Sequence, residues 1–260
     1  MNHCQTNFFS FLQFVTLSKF SCLSHGLSLR EQTDKDQKQY DCDFGNDDAQ
    51  IVRSLFCRTI NQPPHALIRC QQTHESNIEV INQNSPNIIK NCDGVCTNIS
   101  NIPMIMLGAD CLLMIIYDPN KQAVGLAHAG WRGTVSQISK NLVRTMQQTY
   151  QCNPNDLHVG LGPAICKGCY EVGPEVIDAV NTQIPSYRSA LQITNNNHGQ
   201  FDLAMANKLQ LIDCGIPESQ IELSNICTKE SAETFHSFRR DKQNSGRWAL
   251  ICGLLPNPLA

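Results

Sequence analysis

Three residues of this chain, His74, Cys111 and His128, have side chains that suit metal binding or nucleophilic catalysis. Two imidazoles and a thiolate form a suitable donor set for tetrahedral Zn²⁺, with a fourth position left for water or substrate. The same atoms suit a metal-free site in which Cys111 is the nucleophile and His128 is its base. Asp110 or Asp93 would then orient the base. The sequence leaves both alternatives open, together with the ordinary one of a buried thiol and two unrelated histidines.

The spacing between Cys111 and His128 predicts a β-hairpin. Two apolar runs flank a turn of sequence Asp-Pro-Asn-Lys at 118–121, and such turn residues typically join antiparallel strands. If Tyr117 and Gln122 close the loop, Cys111 lies opposite His128, with Cβ atoms ~5 Å apart. A shift by one residue would place the two side chains on opposite faces, so this expectation depends on the register.

A glycine-rich turn, Gly-Trp-Arg-Gly, follows His128 and leads into a predicted helix. Arg132 lies in this turn, where free backbone N–H groups at a helix start favour an anion such as phosphate. Thr134 and Gln137 have the spacing of a capping box. Apolar residues recur at helical spacing over 135–146 and mark its buried face.

Three further arginines, Arg239, Arg240 and Arg247, lie within nine residues of one another. With Arg132 these three could form a clamp for phosphate, and Arg132 and Arg240 are the chosen candidates. Arg53, on the first predicted helix, is a weaker candidate. The ordinary alternative for the cluster is a solvated loop.

Cys166 and Cys169 form a CxxC motif. One such pair supplies half of a structural zinc site, and the sequence has no second CxxC to complete it. Cys92 and Cys96, spaced CxxxC, are a weak complement, and the thioredoxin-like context of a redox pair is missing. We therefore interpret Cys166 and Cys169 as incidental thiols.

Length and composition limit the class of protein. The chain has 260 residues, 41% of them hydrophobic and 17% charged, with a net charge of −3. This length suits one large domain or two small ones, and the chain lacks the basic footprint of a nucleic-acid-binding protein. Its fourteen scattered cysteines indicate reduced thiols in a cytoplasmic protein rather than a disulfide scaffold. No apolar run approaches the ~20 residues that span a membrane, and the Phe-rich N-terminus lacks the features of a signal peptide.

Strands and helices are mixed without a regular βαβ alternation, which favours an α+β fold over a doubly wound sheet. A surface loop is predicted over 28–48. The remaining predicted strands are at 66–70, 104–107, 157–161 and 247–254, and the remaining predicted helices start near Ile51 or lie at 174–180 and 202–214.

Two enzyme signatures are absent from the sequence. The nucleobase-deaminase pattern H-x-E fails because Glu75 directly follows His74. A blue multicopper oxidase needs several His-x-His pairs, and the eight histidines include none.

The chain nevertheless resembles the YfiH-like family, also called the laccase-domain or polyphenol-oxidase-like family. The resemblance covers about residues 44–253 and predicts one catalytic domain over 44–260, with the poorly matched residues 1–43 packed on it. The motifs that carry it occur in the family's order: Gly108-Ala109-Asp110-Cys111, His128-Ala129-Gly130-Trp131-Arg132-Gly133, Gly162-Pro163-Ala164-Ile165, Cys169-Tyr170-Glu171-Val172-Gly173, Cys227-Thr228 and Arg239-Arg240-Asp241.

This resemblance implies an α+β sandwich of mixed sheets flanked by helices, related to Cys-hydrolase toxins. It also implies a zinc-associated purine nucleoside phosphorylase, with copper as an alternative metal, acting on adenosine, inosine and methylthioadenosine. The family's metal and catalytic positions correspond to His74, Cys111 and His128. Adenosine deaminase, cysteine-dependent editing of peptidoglycan precursors and laccase activity are attributed to members as well.

The expected partners are therefore a small nucleoside and phosphate, with neither nucleic acid nor membrane, in a monomer or homodimer. The chain departs from the family at Glu75, Cys92 and Cys166, and at Phe238, where a tyrosine is usual. These departures affect the expected substrate range more than the site. A non-enzymatic protein that keeps the fold is the remaining alternative.

Overall fold

The structure, a computed structural model, describes residues 1–6, 9–33, 39–46, 49–195 and 197–256. Its helices are α1 (Gln50–Thr59), α2 (Trp131–Val135), α3 (Ile138–Tyr150), α4 (Pro174–Gln183), α5 (Leu203–Asp213) and α6 (Phe238–Asp241). Its strands are β1 (Asn2–Gln5), β2 (Ser10–Gln13), β3 (Leu23–Ser28), β4 (Glu31–Thr33), β5 (Gln39–Asp41), β6 (Ile68–Cys70), β7 (Ile78–Val80), β8 (Ile88–Ile89), β9 (Gly94–Thr97), β10 (Met104–Gly108), β11 (Leu112–Asp118), β12 (Ala123–Ala129), β13 (His158–Leu161), β14 (Glu171–Val172), β15 (Leu191–Asn195), β16 (His198–Phe201), β17 (Ile221–Leu223) and β18 (Trp248–Leu254).

Two large sheets form the centre of the fold. The first sheet has the strand order β1-β2-β3-β18-β10-β6-β8, and the second has the order β17-β13-β11-β12-β9-β7. Both sheets are mixed: β10 is antiparallel to β18 and parallel to β6, and β13 is antiparallel to β11 and parallel to β17. The α+β fold predicted from the sequence is confirmed.

Alternating side chains of β11 face two different cores, as the two-residue period of a strand requires. Leu113 and Ile115 belong to the core that both sheets share. Leu112 and Met114 belong to a second core, which includes buried residues of α3 and α5. On the outer face of the first sheet, Phe56 of α1 packs in a third core. The sheets therefore lie face to face between helices, and both faces of β11 are buried.

The N-terminal residues contribute strands to the first sheet, where β3 pairs with β18 from Leu27↔Leu250 to Leu23↔Leu254. The surface loop predicted over 28–48 is wrong in part, since β4 and β5 interrupt it and Phe44 is fully buried. Positions 34–38 and 47–48 of that loop lie outside the described residues.

The hairpin of β11 and β12 is confirmed, but its register is shifted. Asp118 pairs with Ala123, and Leu113 rather than Cys111 pairs with His128. The Asp118 carboxylate accepts the backbone N–H groups of Asn120 and Lys121 at 2.9 and 3.0 Å. These bonds start the turn one residue later, so the strand is longer by one residue. The observed pairing is therefore shifted by two residues from the predicted one. Because side chains alternate with a period of two, Cys111 still lies on the same face of the hairpin as the His128 side chain.

The predicted capping box is wrong. The helix starts earlier, at Trp131, because the Thr134 N–H already donates to the Gly130 carbonyl at 2.9 Å inside α2. Gln137 is left-handed, with φ of 59°, and separates α2 from α3. The predicted buried face of the helix is confirmed, with its apolar residues over 135–146 in the core. In the described ranges, no helix combines the length and the apolar character needed to cross a membrane.

Candidate active site

Three separate segments bring His74, Cys111 and His128 together; we call these residues the donor cluster. His128 is the second-last residue of β12, Cys111 directly precedes β11, and His74 lies in the loop after β6. One nitrogen from each histidine and the Cys111 sulfur all lie within 4.8 Å of one another. A Cβ atom on Gly130 would lie 3.1 Å from this sulfur and 3.2 Å from the His74 ring. Glycine at 130 therefore leaves room for the cluster.

The buried carboxylate of Asp93 fixes both histidines. Its Oδ1 lies 2.8 Å from the ring atom Nδ1 of His128. The same oxygen accepts the backbone N–H of His74 at 3.1 Å. Its Oδ2 accepts the N–H groups of Thr73 and Glu75, each at 2.9 Å. These bonds hold the loop where His74 has a left-handed φ of 63°. Because Nδ1 of His128 faces Asp93, its Nε2 is the nitrogen available to a metal or to the thiol.

Neighbouring charges shift the pKa values of Cys111, His128 and Asp93. Burial would raise the pKa of the Cys111 thiol, but the His128 and His74 rings outweigh it and lower the pKa to about 6. Burial would lower the pKa of His128, but Cys111 and Asp93 raise it to about 9. The pKa of Asp93 falls to about 2, because hydrogen bonds from His128 and from backbone N–H groups outweigh its burial. Without a metal, a thiolate and an imidazolium thus coexist between about pH 6 and pH 9.

The pH dependence of thiol alkylation tests this charge pair. After chelation of metal, we expect the alkylation rate of Cys111 to reach half its maximum near pH 6, because the thiolate is the reactive form and its pKa is lowered. Peptide mass spectrometry after iodoacetamide treatment distinguishes Cys111 from the control thiol Cys214, whose pKa burial raises above 9.0. A half-maximum for Cys111 near pH 9 would contradict the assignment.

The donor cluster lines a cavity of about 660 Å³, and four residues with cationic side chains line the same cavity. These are Arg132, Arg239, Lys242 and Arg247. The Arg132 guanidinium lies 4.2 Å from the Trp131 ring centroid and 3.1 Å from a carboxylate oxygen of Glu175. The cavity volume is within the range of small-molecule sites, and its charge suits an anionic ligand.

Two arginines proposed from the sequence as phosphate ligands do not line this cavity. The Arg240 guanidinium donates to three carbonyl oxygens of residues 228–235 and binds the Asp241 carboxylate at 2.7 Å. Arg53 is buried, and its Nε donates to the Phe44 carbonyl at 3.0 Å. Both guanidiniums therefore tie loops together. Arg239 and Arg247, which sequence reasoning grouped with Arg240 without choosing them, line the cavity instead.

Of the two carboxylates considered for orienting His128, Asp93 has the required position. Asp110 serves another purpose, since it accepts the Thr228 hydroxyl at 2.7 Å and the Arg239 N–H at 2.6 Å. It thereby fixes the backbone next to Cys111.

Comparison with known proteins defines the class of this protein. The profile of the family described as "Multi-copper polyphenol oxidoreductase laccase" matches residues 32–254. The chain is 33% identical over 217 residues to "Purine nucleoside phosphorylase YlmD" of Bacillus subtilis (strain 168), covering 80% of this chain and 78% of that one. It therefore belongs to this laccase-like family, which confirms the resemblance seen in the sequence.

Two further comparisons concern activity and fold. The chain is 29% identical over 219 residues to "Adenosine deaminase RL5" from an unknown prokaryotic organism, covering 79% of this chain and 83% of that one. The crystal structure of Bacillus licheniformis "hypothetical protein YfiH" matches with a TM-score of 0.83 at 27% identity, covering 89% of this chain and 92% of that one. The relatives thus include named enzymes, and the fold is that of the YfiH proteins.

The donors fit one metal ion better than a multi-copper centre. Two imidazole nitrogens and one sulfur, oriented by a carboxylate behind His128, form a set that Zn²⁺ and copper both accept. Among the residues that the structure describes, the donor cluster is the only group of three or more potential ligands that contains histidine. A centre of several copper ions would need more converging histidines than this.

Proposed function

We propose that this protein is a purine nucleoside phosphorylase that cleaves adenosine, inosine or methylthioadenosine with phosphate. The observation that carries the proposal is that the donor cluster and four residues with cationic side chains line the same cavity. Phosphorolysis needs an anion site and a group that assists the departing base, and the cationic residues and the donor cluster that line this cavity are our candidates for these two roles. The relative named as a purine nucleoside phosphorylase supports the proposal.

In the proposed reaction, a phosphate oxygen forms a bond to C1′ of the sugar as the bond from C1′ to the base nitrogen breaks. The base leaves with the bonding electron pair and takes up the proton that the attacking hydrogen phosphate gives up, so atoms and charge balance. Arg132 and Arg239 would hold the phosphate beside the cationic sugar, where positioned charge contributes most to catalysis. Asp93 would keep the His128 ring in place throughout. His74, Cys111 and His128 would bind Zn²⁺, which supplies a Lewis acid for a developing negative charge.

Assays of the purified protein with adenosine, in the presence and absence of phosphate, test this function. We expect adenine and ribose 1-phosphate to form only when phosphate is present. Chromatography of both products, together with inosine, separates phosphorolysis from deamination, the activity that the name of the RL5 relative suggests. Adenosine consumption without ribose 1-phosphate in the presence of phosphate would contradict the phosphorylase assignment.

Removal of one cavity arginine tests the phosphate site. We expect Arg132→Ala to raise the KM for phosphate at least about tenfold, because a hydrogen bond between charged groups contributes roughly 1.5–3 kcal/mol. The melting temperature should stay unchanged, because both side chains of the Arg132–Glu175 ion pair are exposed to solvent and such pairs contribute little to stability. Arg144→Ala, which removes an exposed arginine of α3, is the matched control. Equal KM values in the two variants would exclude Arg132 from the phosphate site.

A second candidate is a cysteine-dependent amide hydrolase that acts on peptidoglycan precursors. The alignment of Asp93, His128 and Cys111 supports it, because a carboxylate, an imidazole and a thiol in this order are the parts of a cysteine nucleophile site. Such an enzyme would hydrolyse an amino-acid amide without phosphate and would keep its activity in a chelator. The phosphorylase would lose its activity there.

A further inference from the structure

A second group of potential ligands lies outside the active-site cavity. Two of its members come from the CxxC motif, at a 3₁₀ turn over Lys167–Cys169. The others come from a loop about sixty residues further along the chain, which an isolated β-bridge between Ala164 and Cys227 places beside the turn. We call this group the thiol cluster, and its members are Cys166, Cys169, Cys227 and Glu230.

The ligand atoms of the thiol cluster are close enough to share one ion. The three sulfurs and one carboxylate oxygen all lie within 4.8 Å of one another. Zn–S bonds of about 2.3 Å place tetrahedral ligand atoms roughly 3.8 Å apart, so each ligand needs to move by no more than about 1 Å. The turn and the loop therefore already hold the cluster near the geometry of a coordinated metal.

Backbone N–H groups point at the sulfur of the buried member, Cys227. The Cys166 N–H donates to the Cys227 sulfur at 3.3 Å. The N–H groups of Lys229 and Glu230 also face this sulfur. On the other side of the cluster, the Cys169 sulfur lies 3.3 Å from a Glu230 oxygen. Thiolates that accept backbone N–H bonds at a turn are suited to ligate a metal rather than only to fill space.

We propose that the thiol cluster binds a second metal ion, a structural Zn²⁺ held by three sulfurs and one carboxylate oxygen. Three cysteines and a fourth protein ligand give the closed tetrahedral shell that is typical of structural zinc. The sequence interpretation of Cys166 and Cys169 as incidental thiols overlooked Cys227, because no second CxxC marks it. Position 166, where this chain departs from the family pattern, supplies one of the three sulfurs.

The proposed ion would fasten the two segments that support the active-site thiol. Ile165, next to Cys166, donates its N–H to the Asp110 carbonyl at 2.9 Å. Thr228, next to Cys227, donates its hydroxyl to the Asp110 carboxylate at 2.7 Å. Asp110 directly precedes Cys111 in the chain. A metal that ties residues 166 and 227 together would therefore stabilise the backbone that positions the active-site sulfur.

Zinc stoichiometry in single variants tests this proposal. The full chain, reduced and dialysed, is titrated with Zn²⁺ alone and analysed by native mass spectrometry. We expect two ions per chain in the wild type and one in Cys166→Ser, with the same loss in Cys169→Ser. Cys214→Ser, which alters a thiol in neither cluster, should keep both ions. The zinc-dependent rise in melting temperature should fall by roughly 5 °C in Cys166→Ser.

This experiment tests metal binding at the donor cluster and at the thiol cluster separately. Loss of one ion in His128→Ala and of the other in Cys166→Ser supports two independent sites. One ion in the wild type that Cys166→Ser removes and His128→Ala retains supports the thiol cluster and contradicts metal binding at the donor cluster. Equal zinc content in the wild type and in both cysteine variants would overturn the proposal. A disulfide between two of these thiols would also overturn the proposal if the protein, once reduced, still bound no second ion.

Discussion

Replacing Cys111 by serine should lower phosphorolysis by more than about a hundredfold and leave the fold intact. Loss of a group that only orients a metal ligand costs 10–100-fold in metal affinity or activity, and loss of the ligand itself should cost more. Serine has nearly the same shape, but its hydroxyl is not ionised near neutral pH. The charge pair with His128, which depends on the lowered pKa of the thiol, would therefore be lost as well.

Steady-state rates with adenosine and saturating phosphate measure this effect. Cys214→Ser serves as the matched control, because Cys214 is also half-buried but belongs to neither cluster. The melting temperatures of the two variants should agree within a few degrees. A Cys111→Ser enzyme that keeps more than a tenth of the wild-type rate would remove the donor cluster from the mechanism.

Asp93→Asn should reduce both activity and stability. The carboxylate accepts bonds from His128, Thr73, His74 and Glu75, and an amide cannot accept them all because one of its two atoms is a donor. Breaking such a buried charged network costs about 3 kcal/mol of the free energy of unfolding. Since Asp93 orients a ligand, metal affinity should fall by about 10–100-fold.

The pH dependence of stability provides a second measurement on the same variant. The folded state lowers the pKa of Asp93 from its ordinary value of 3.8 to about 2. Its stabilisation is therefore complete above pH 3.8 and is lost as the pH falls toward 2. Urea unfolding of the wild type should show this loss, and Asp93→Asn should lack it. Asp178→Asn, at an exposed site on α4, should behave as the wild type; equal stability of Asp93→Asn and Asp178→Asn at pH 7 would contradict the role of Asp93.

The proximity of Cys111 to His128 and the fold class could be predicted from the sequence because their signals are local, whereas His74 was assigned through the family resemblance. The apolar runs on either side of a short turn required a hairpin, and that hairpin places Cys111 and His128 on one side whether the register is the predicted or the observed one. The register itself depended on Asp118, whose side chain binds the turn backbone. Sequence spacing does not reveal such a bond.

The choice between Arg239 and Arg240 could not be made from the sequence, because neighbouring residues of a helix point about 100° apart. Arg239 and Arg240 both lie in α6, but only Arg239 faces the cavity. Cys227 was missed for a different reason. Its approach to Cys166 depends on one β-bridge between segments far apart in sequence, and no local pattern indicates that contact.

Zinc-edge anomalous scattering from crystals of the zinc-loaded protein tests the central claim most directly. The account predicts a peak bonded to Cys111 Sγ at about 2.3 Å and to one nitrogen each of His74 and His128 at about 2.0–2.1 Å. Nδ1 of His128 should remain hydrogen-bonded to Asp93. Density in which these three side chains surround no anomalous peak, in crystals grown with zinc in excess over both proposed sites, would contradict the account.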